Sequence, residues 1–384
     1  MVMKNPLLLL VIAISFLLES SCGKKEDSVA EIKPAKAAGQ PLTDNQGEPS
    51  STSSHDADIT QKVAQARDLI ANYGGDRADL AKAREILTGV LGSSRDYAPA
   101  YVELARLEYK SGYVSGDAFD RTRLINAEKF ANHALELDPD LPEAHLASAR
   151  ISLYLGEFDL SNERIETAES LGVAKEDADA VRARMASATG DERETLRLAR
   201  TVIASESAAK PLKLEMLMLI APILERGGFR AEAQEALEDV VALDSRSAWG
   251  HGNLAAFLLR HGEITRAVEH AERAVEILPY PIGVNTLVRA YVARAEQLYS
   301  ERRFAEAGRM IERLSDGLVG EDPDALGAIG DYYYRVFIRT SDPMFLDRAA
   351  EKYRAALSLD PTRIELSRSL DRVLQRRAEI ANGS

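Results

Sequence analysis

Six histidines, one cysteine and 61 acidic residues are the groups with which this 384-residue chain could do chemistry. Their spacing points away from a reaction centre. A metal site needs ligands that converge on one face at fixed geometry. His251 and His261 are ten residues apart, far from each other along one helix, and His270 follows on the next. His145 and His251 hold equivalent positions in a repeating pattern, which reads as packing. The only cysteine, Cys22, lies in a processed segment at the start of the chain and is lost to thiol catalysis once that segment is cut or modified. Gly227-Gly228 lacks the following Lys-Ser/Thr and the preceding strand of a phosphate loop. With so many carboxylates, close pairs arise by chance and none marks acid–base chemistry. The expectation is a chain that is not an enzyme, with no metal and no cofactor, whose chemistry is recognition. A net charge of −13 and a pI of about 5.1 argue against nonspecific nucleic-acid binding.

The elements that would position recognising side chains are clearest between Trp249 and Pro279. Leu254, Ala255 and Leu258 repeat at helical spacing. Gly262 supplies a turn, and Ile264, Val268, Ala271 and Val275 form a second stripe. Ala267 and Ala274 admit a neighbouring helix closely, and Pro279 stops the second helix. Such a pair cannot bury both faces alone. The position of Ala274 recurs as Ala134, Ala168, Val202, Val240, Ala274, Leu314 and Ala356, at intervals of 34, 34, 38, 34, 40 and 42 residues. A helix–turn–helix period near 34 resembles the tetratricopeptide repeat. Asn253-Leu254-Ala255, Gly262, Ala267, Ala274 and Pro279 carry the resemblance, with His251 where the motif often has Trp. It covers most of residues 59–380 and implies an all-α chain: a right-handed α-solenoid of about eight helix pairs over 59–361, with a capping helix and tail over 362–384.

The chain begins with Lys4, an apolar run from Leu7 to Leu18 and then Ser21-Cys22-Gly23. The run is short for a membrane-spanning helix and right for a signal segment. Residues 1–22 look like a bacterial lipoprotein signal, with Cys22 as the lipid attachment and Glu19 where a Leu is usual. An ordinary export signal cut near Ser21 or Gly23 is the alternative. Residues 23–58 are too polar to offset ordering and read as a disordered tether, 36 residues with a reach of roughly 30–35 Å. Gly23 after the Cys resembles the sorting pattern for the outer membrane, so the expected location is that membrane, facing the periplasm.

Two irregularities interrupt the repeats. Between Gly112 and Ala127 the chain has about ten residues more than the motif needs. Tyr113, Val114 and Phe119 make this insertion partly apolar; a loop on the binding face and a helix extended by two turns both fit. Pro222, inside the first helix of the fifth repeat, should kink or break it. The last helix carries Ile364, Leu370, Val373 and Leu374 on one side. It also carries Arg363, Arg368, Arg372, Arg376 and Arg377, either a solvated cap face or a dock for an acidic partner.

In the family the first helix of each pair lines the concave groove. Carried onto this chain, its groove positions are Arg106, Tyr109, Arg150, Trp249, Glu296, Tyr299, Asp331 and Tyr334. Arg and aromatic side chains dominate binding energy at interfaces. Trp249, the only Trp, serves either as a groove anchor or as packing between repeats. Val102 and Leu146 stand where a Lys would clamp a C-terminal carboxylate, so that ligand is not expected. The resemblance implies a scaffold or assembly factor of the cell envelope, binding a segment of another envelope protein. A component of polysaccharide or cell-wall synthesis whose groove also contacts glycan is the alternative.

Overall fold

The computed structural model describes residues 52–115, 118–315 and 322–383, which hold seventeen helices and one small hairpin. The helices come in pairs. The first four are α1 (Thr52–Ala71) with α2 (Arg77–Ser93), α3 (Ala98–Ser111) with α4 (Arg121–Leu137), α5 (Pro142–Leu155) with α6 (Phe158–Ser170), and α7 (Lys175–Thr189) with α8 (Glu192–Ala204). The second four are α9 (Lys210–Arg226) with α10 (Arg230–Leu243), α11 (Ala248–Arg260) with α12 (Ile264–Ile277), α13 (Pro281–Ser300) with α14 (Phe304–Ser315), and α15 (Pro323–Thr340) with α16 (Met344–Leu359). Helix α17 (Ile364–Gly383) closes the series. The fold is a right-handed α-solenoid of eight tetratricopeptide-type helix pairs with a terminal cap.

Local chemistry starts and stops the helices. Asp76, Asp120, Asp191, Ser247 and Asp322 each accept a hydrogen bond from a backbone N–H of the first turn that follows, satisfying donors that have no partner inside the helix. Proline sits in the first turn of α3, α5, α9, α13 and α15, where its missing N–H costs nothing. Gly262, between α11 and α12, has φ +79° in open space, so the turn needs glycine for its backbone and not for room.

Packing follows the period. Ala134, Ala168, Val202, Val240, Ala274, Leu314 and Ala356 are all fully buried, each on the second helix of its pair. First helices of successive pairs also pack on one another, α1 on α3, α3 on α5, α5 on α7, α7 on α9, α11 on α13 and α13 on α15. They form one side of the solenoid. Tyr280 is a wedge between α11 and α13: a Cβ on Gly252 would come 2.0 Å from its hydroxyl, and one on Gly283 2.5 Å from its ring.

Four expectations are corrected. Helix α1 begins at Thr52, inside the segment read as tether, and the first buried side chain is Ile59, at 4% exposure; its opening turns have no apolar stripe to betray them. The insertion is neither a plain loop nor an extended helix. It is a hairpin, β1 (Tyr113–Ser115) antiparallel to β2 (Ala118–Phe119) with Tyr113 opposite Phe119, closed at its base by Asp120 N–H to Gly112 O at 2.7 Å. Pro222 does not break α9, which runs through it to Arg226. In α17, Val373 is buried and Leu366, Leu370, Leu374 and Ile380 pack beneath it, but Ile364 is 66% exposed. The signal segment, Cys22 and most of the tether lie outside the described residues.

Candidate concave binding surface

Ion pairs between first helices show which side of the solenoid is the inner one. Arg150 on α5 reaches Glu215 on α9 at 2.9 Å, past the intervening α7, whose Arg184 joins the same carboxylate at 2.9 Å. A contact that skips a repeat is available only on the inside of a curve. Arg67 on α1 pairs with Glu103 on α3 at 2.7 Å, and Arg335 on α15 pairs with Glu296 on α13.

The expected groove residues fall into three clusters. Tyr109 and Arg150 meet in the first. Tyr109 stacks on Phe119 of the hairpin (5.1 Å between centroids) and on Tyr154 (5.4 Å). Burial, Tyr109 and nearby Glu215 push the Tyr154 hydroxyl well above its ordinary value. Burial opposes the charge on Glu215, but Arg150, Arg184 and Lys110 outweigh it and hold the carboxyl well below the usual range. The two guanidiniums are held upward by the same carboxylate against the pull of burial. Next to them Arg106 pairs with Glu103 at 2.9 Å; Glu103 is fully buried and its second oxygen has no hydrogen-bond partner.

Trp249 belongs to a second cluster, where it packs between repeats that are not neighbours in the series. Its ring meets Tyr73 in the α1–α2 turn edge-on (5.7 Å) and Tyr113 of the hairpin at a tilt (5.8 Å). Gly75, with φ +110°, brings the α1–α2 turn so close that a Cβ there would lie 2.7 Å from Leu278 and 3.3 Å from the indole. The sixth repeat thus touches the first and second, and an aromatic row (Tyr73, Trp249, Tyr113, Phe119, Tyr109) spans the inner side.

The third cluster lies on the seventh and eighth repeats. Glu296 holds Arg335, and Arg339 stands 5.8 Å over the Tyr299 ring. Asp331 accepts a 2.5 Å hydrogen bond from the Tyr353 hydroxyl, and Tyr334 lies beside Phe337. One turn beyond Tyr334, Ile338 is 58% exposed.

Sequence reasoning missed Lys110, Tyr154, Arg184 and Glu215. Tyr154 is one helical turn after Arg150, a spacing that puts both on one face. Glu215 is the lone carboxylate in the apolar run Leu214–Leu219. That oddity was the available signal.

Among the described residues no group of three or more His, Cys, Asp or Glu is placed to hold an ion. His145 and His251 are buried, and each sets Nε2 against a carbonyl six residues back, Pro139 O at 2.8 Å and Ser245 O at 3.2 Å. His251 Nδ1 faces His270 Nδ1 at 2.9 Å. Burial lowers both pKa values. Arg273 adds to this at His251 against Asp244, and His251 and Arg266 add to it at His270 against Glu269 and Glu238. The unfolded chain therefore takes up protons near 6.5 before the folded one does. The stability from the neutral pair is complete above that value and is lost as pH falls through the depressed folded values. The urea midpoint is expected to be lower at pH 5.5 than at pH 7.5, and His270→Gln to shrink that difference; an unchanged difference in the variant refutes the assignment.

The inner face, with arginines, carboxylates and tyrosines on successive first helices, belongs to the class of tetratricopeptide-type solenoids. No protein family and no curated protein matches the sequence. Solved structures do match the fold. Human IFIT1, solved as a dimer with m7Gppp-AAAA, has a TM-score of 0.53 at 13% identity, over 83% of this chain and 72% of that one. The APC/C hetero-tetramer Cut9–Hcn1 has a TM-score of 0.52 at 17% identity, over 84% of this chain and 59% of that one. The C-terminal part of a TPR repeat-containing protein from Cytophaga hutchinsonii has a TM-score of 0.48 at 16% identity, over 70% and 99%.

Proposed function

We propose that this chain is a non-catalytic scaffold or assembly factor of the bacterial cell envelope, which holds a segment of another protein along its inner face. Cys22 carries the lipid that anchors it at the outer membrane, facing the periplasm. The observation that supports the binding role is the side-chain linkage between first helices: Arg67 to Glu103, Arg150 and Arg184 to Glu215, Arg335 to Glu296. These links fix polar and aromatic groups along one continuous face, so that a partner meets a preorganised surface and loses little to ordering it. Tyr334 and the exposed Ile338 supply apolar footing at its open end. The IFIT1 likeness concerns the fold and carries no ligand over to this chain.

The test is photo-crosslinking in cells. A benzophenone amino acid placed at Ile338 is expected to capture one envelope protein, and the same group at the exposed Arg193 on α8 is expected not to. Equal capture from both positions, or none from Ile338, rejects the inner face as the binding surface. Cys22→Ser is expected to release the protein from the membrane fraction; retention there rejects the anchor.

A further inference from the structure

The insertion between α3 and α4 lies on the inner face and fills two seats there with its own rings. Phe119 occupies the first, stacked on Tyr109 (5.1 Å between centroids, 24° between planes) and tilted against Tyr154 (4.2 Å). Tyr113 occupies the second, against Trp249 at 5.8 Å. These two rings are 5.6 Å apart and stand opposite each other across the hairpin. The walls of the seats belong to the solenoid: Tyr109 is on α3, Tyr154 on α5 and Trp249 on α11. Phe119 also packs on the buried cluster that holds Tyr109, Leu124 and Ile151.

The hairpin is a slight structure on a firm base. Its strands are three and two residues long, with an irregular register between Tyr113 and Ser115. A two-stranded ribbon of that size is marginal at best on its own in water. Tyr113 is 43% exposed in its seat and Phe119 is half-buried. The base is different. Asp120 N–H bonds Gly112 O, and the Asp120 carboxylate accepts from Arg123 N–H to cap α4. The rings can therefore leave their seats while α3 and α4 stay in place.

We propose that the hairpin is a strap across the inner face that a partner displaces, and that the displacing segment is extended, with aromatic residues two positions apart, one ring entering each seat. The proposal rests on the scaffold reading above and adds the chemistry of the partner. That chemistry is read from what fills the seats now, two aromatic rings. Alternate residues of a strand lie on one side about 7 Å apart, close to the spacing of the hairpin's rings. Stacked and tilted ring pairs are the geometry aromatic side chains prefer, so the partner's rings regain what the hairpin's rings give up. Release of the strap is then nearly neutral, and the partner's other contacts along the face decide which state is populated.

The test is fluorescence anisotropy on the full-length chain with labelled Gly/Ser decapeptides that carry Phe-Ser-Phe, Phe-Phe-Ser or Leu-Ser-Leu at their centre, and with a labelled chitin oligosaccharide. Wild type is expected to bind the Phe-Ser-Phe peptide several-fold more tightly than the other two. Tyr113→Ala with Phe119→Ala vacates both seats and keeps the base, and is expected to bind that peptide at least tenfold more tightly than wild type. Adding Tyr154→Ala, which removes a wall of the first seat, is expected to abolish the gain. Melting curves check that the variants are folded. A second measurement needs no variant: amide exchange in β1 and β2 of wild type is expected to quicken when the peptide saturates it. Equal or weaker binding by the double variant, exchange in the hairpin that slows or stays unchanged, or no preference for Phe-Ser-Phe overturns the strap proposal. The scaffold reading then stands on capture at Ile338. No binding of any peptide also overturns the strap, and loss of capture at Ile338 as well overturns both. Tighter binding of the chitin oligosaccharide than of the Phe-Ser-Phe peptide overturns the proposal in favour of glycan.

Discussion

Glu215→Ala is expected to lower the stability of the solenoid by about 3–5 kcal/mol, the cost of leaving buried charges without their partner. The carboxylate accepts hydrogen bonds from Arg150 at 2.9 and 3.0 Å and from Arg184 at 2.9 Å. Removing it leaves two guanidiniums in a recess that exposes less than a fifth of either side chain, with Lys110 close by. The charges link α5, α7 and α9, so the loss should spread over repeats three to five. Glu215→Gln keeps an acceptor and should cost less than Ala. Its cost should also depend on pH. The folded carboxyl titrates below its ordinary 4.5, so its stabilisation is complete above that value and is lost as pH falls through the depressed one. The gap between wild type and the Gln variant should therefore narrow below about pH 4.5. Urea denaturation of the three proteins at pH 7 and pH 4 measures this. A Glu215→Ala cost below 1 kcal/mol would show that the arginines relax into solvent and that the recess is not rigid.

The fold was legible because repeat proteins write it many times over. One buried alanine slot, read at seven positions, located the second helix of seven pairs, and all seven side chains are fully buried. The inner face was less legible. Slot assignment named Tyr109, Arg150, Glu296 and Tyr299, and the structure sets each in contact with another repeat. It did not find Glu215, whose partner Arg150 lies 65 residues away in sequence. A contact that skips a repeat depends on curvature, and curvature is the sum of small rotations that no single repeat encodes. The hairpin was missed for a related reason. Tyr113 and Phe119 announced only that the insertion was apolar; their partners Trp249, Tyr109 and Tyr154 come from three different repeats.

That closure across the inner face makes the second prediction. Trp249→Ala is expected to cost about 2–4 kcal/mol, below the range for a fully buried tryptophan because the indole is only partly enclosed. The larger consequence is local. Tyr73, Gly75 and Tyr113 would lose the ring that ties the first two repeats to the sixth. In a solenoid each repeat otherwise depends on its immediate neighbours, so the first pair would be held only by the second, through α3 and Phe130 of α4. Hydrogen exchange should quicken in the α1–α2 turn and at the hairpin base, while repeats seven and eight remain as protected as in wild type. Tyr73→Ala combined with Trp249→Ala should cost less than the sum of the single changes, by about 0.5–1.5 kcal/mol, the usual coupling of an edge-on aromatic pair. Strict additivity would mean that the rings are adjacent without being coupled. Exchange that quickens only within α11 and α12 would mean that the indole serves its own repeat, and that the inner face is open from the first repeat to the last.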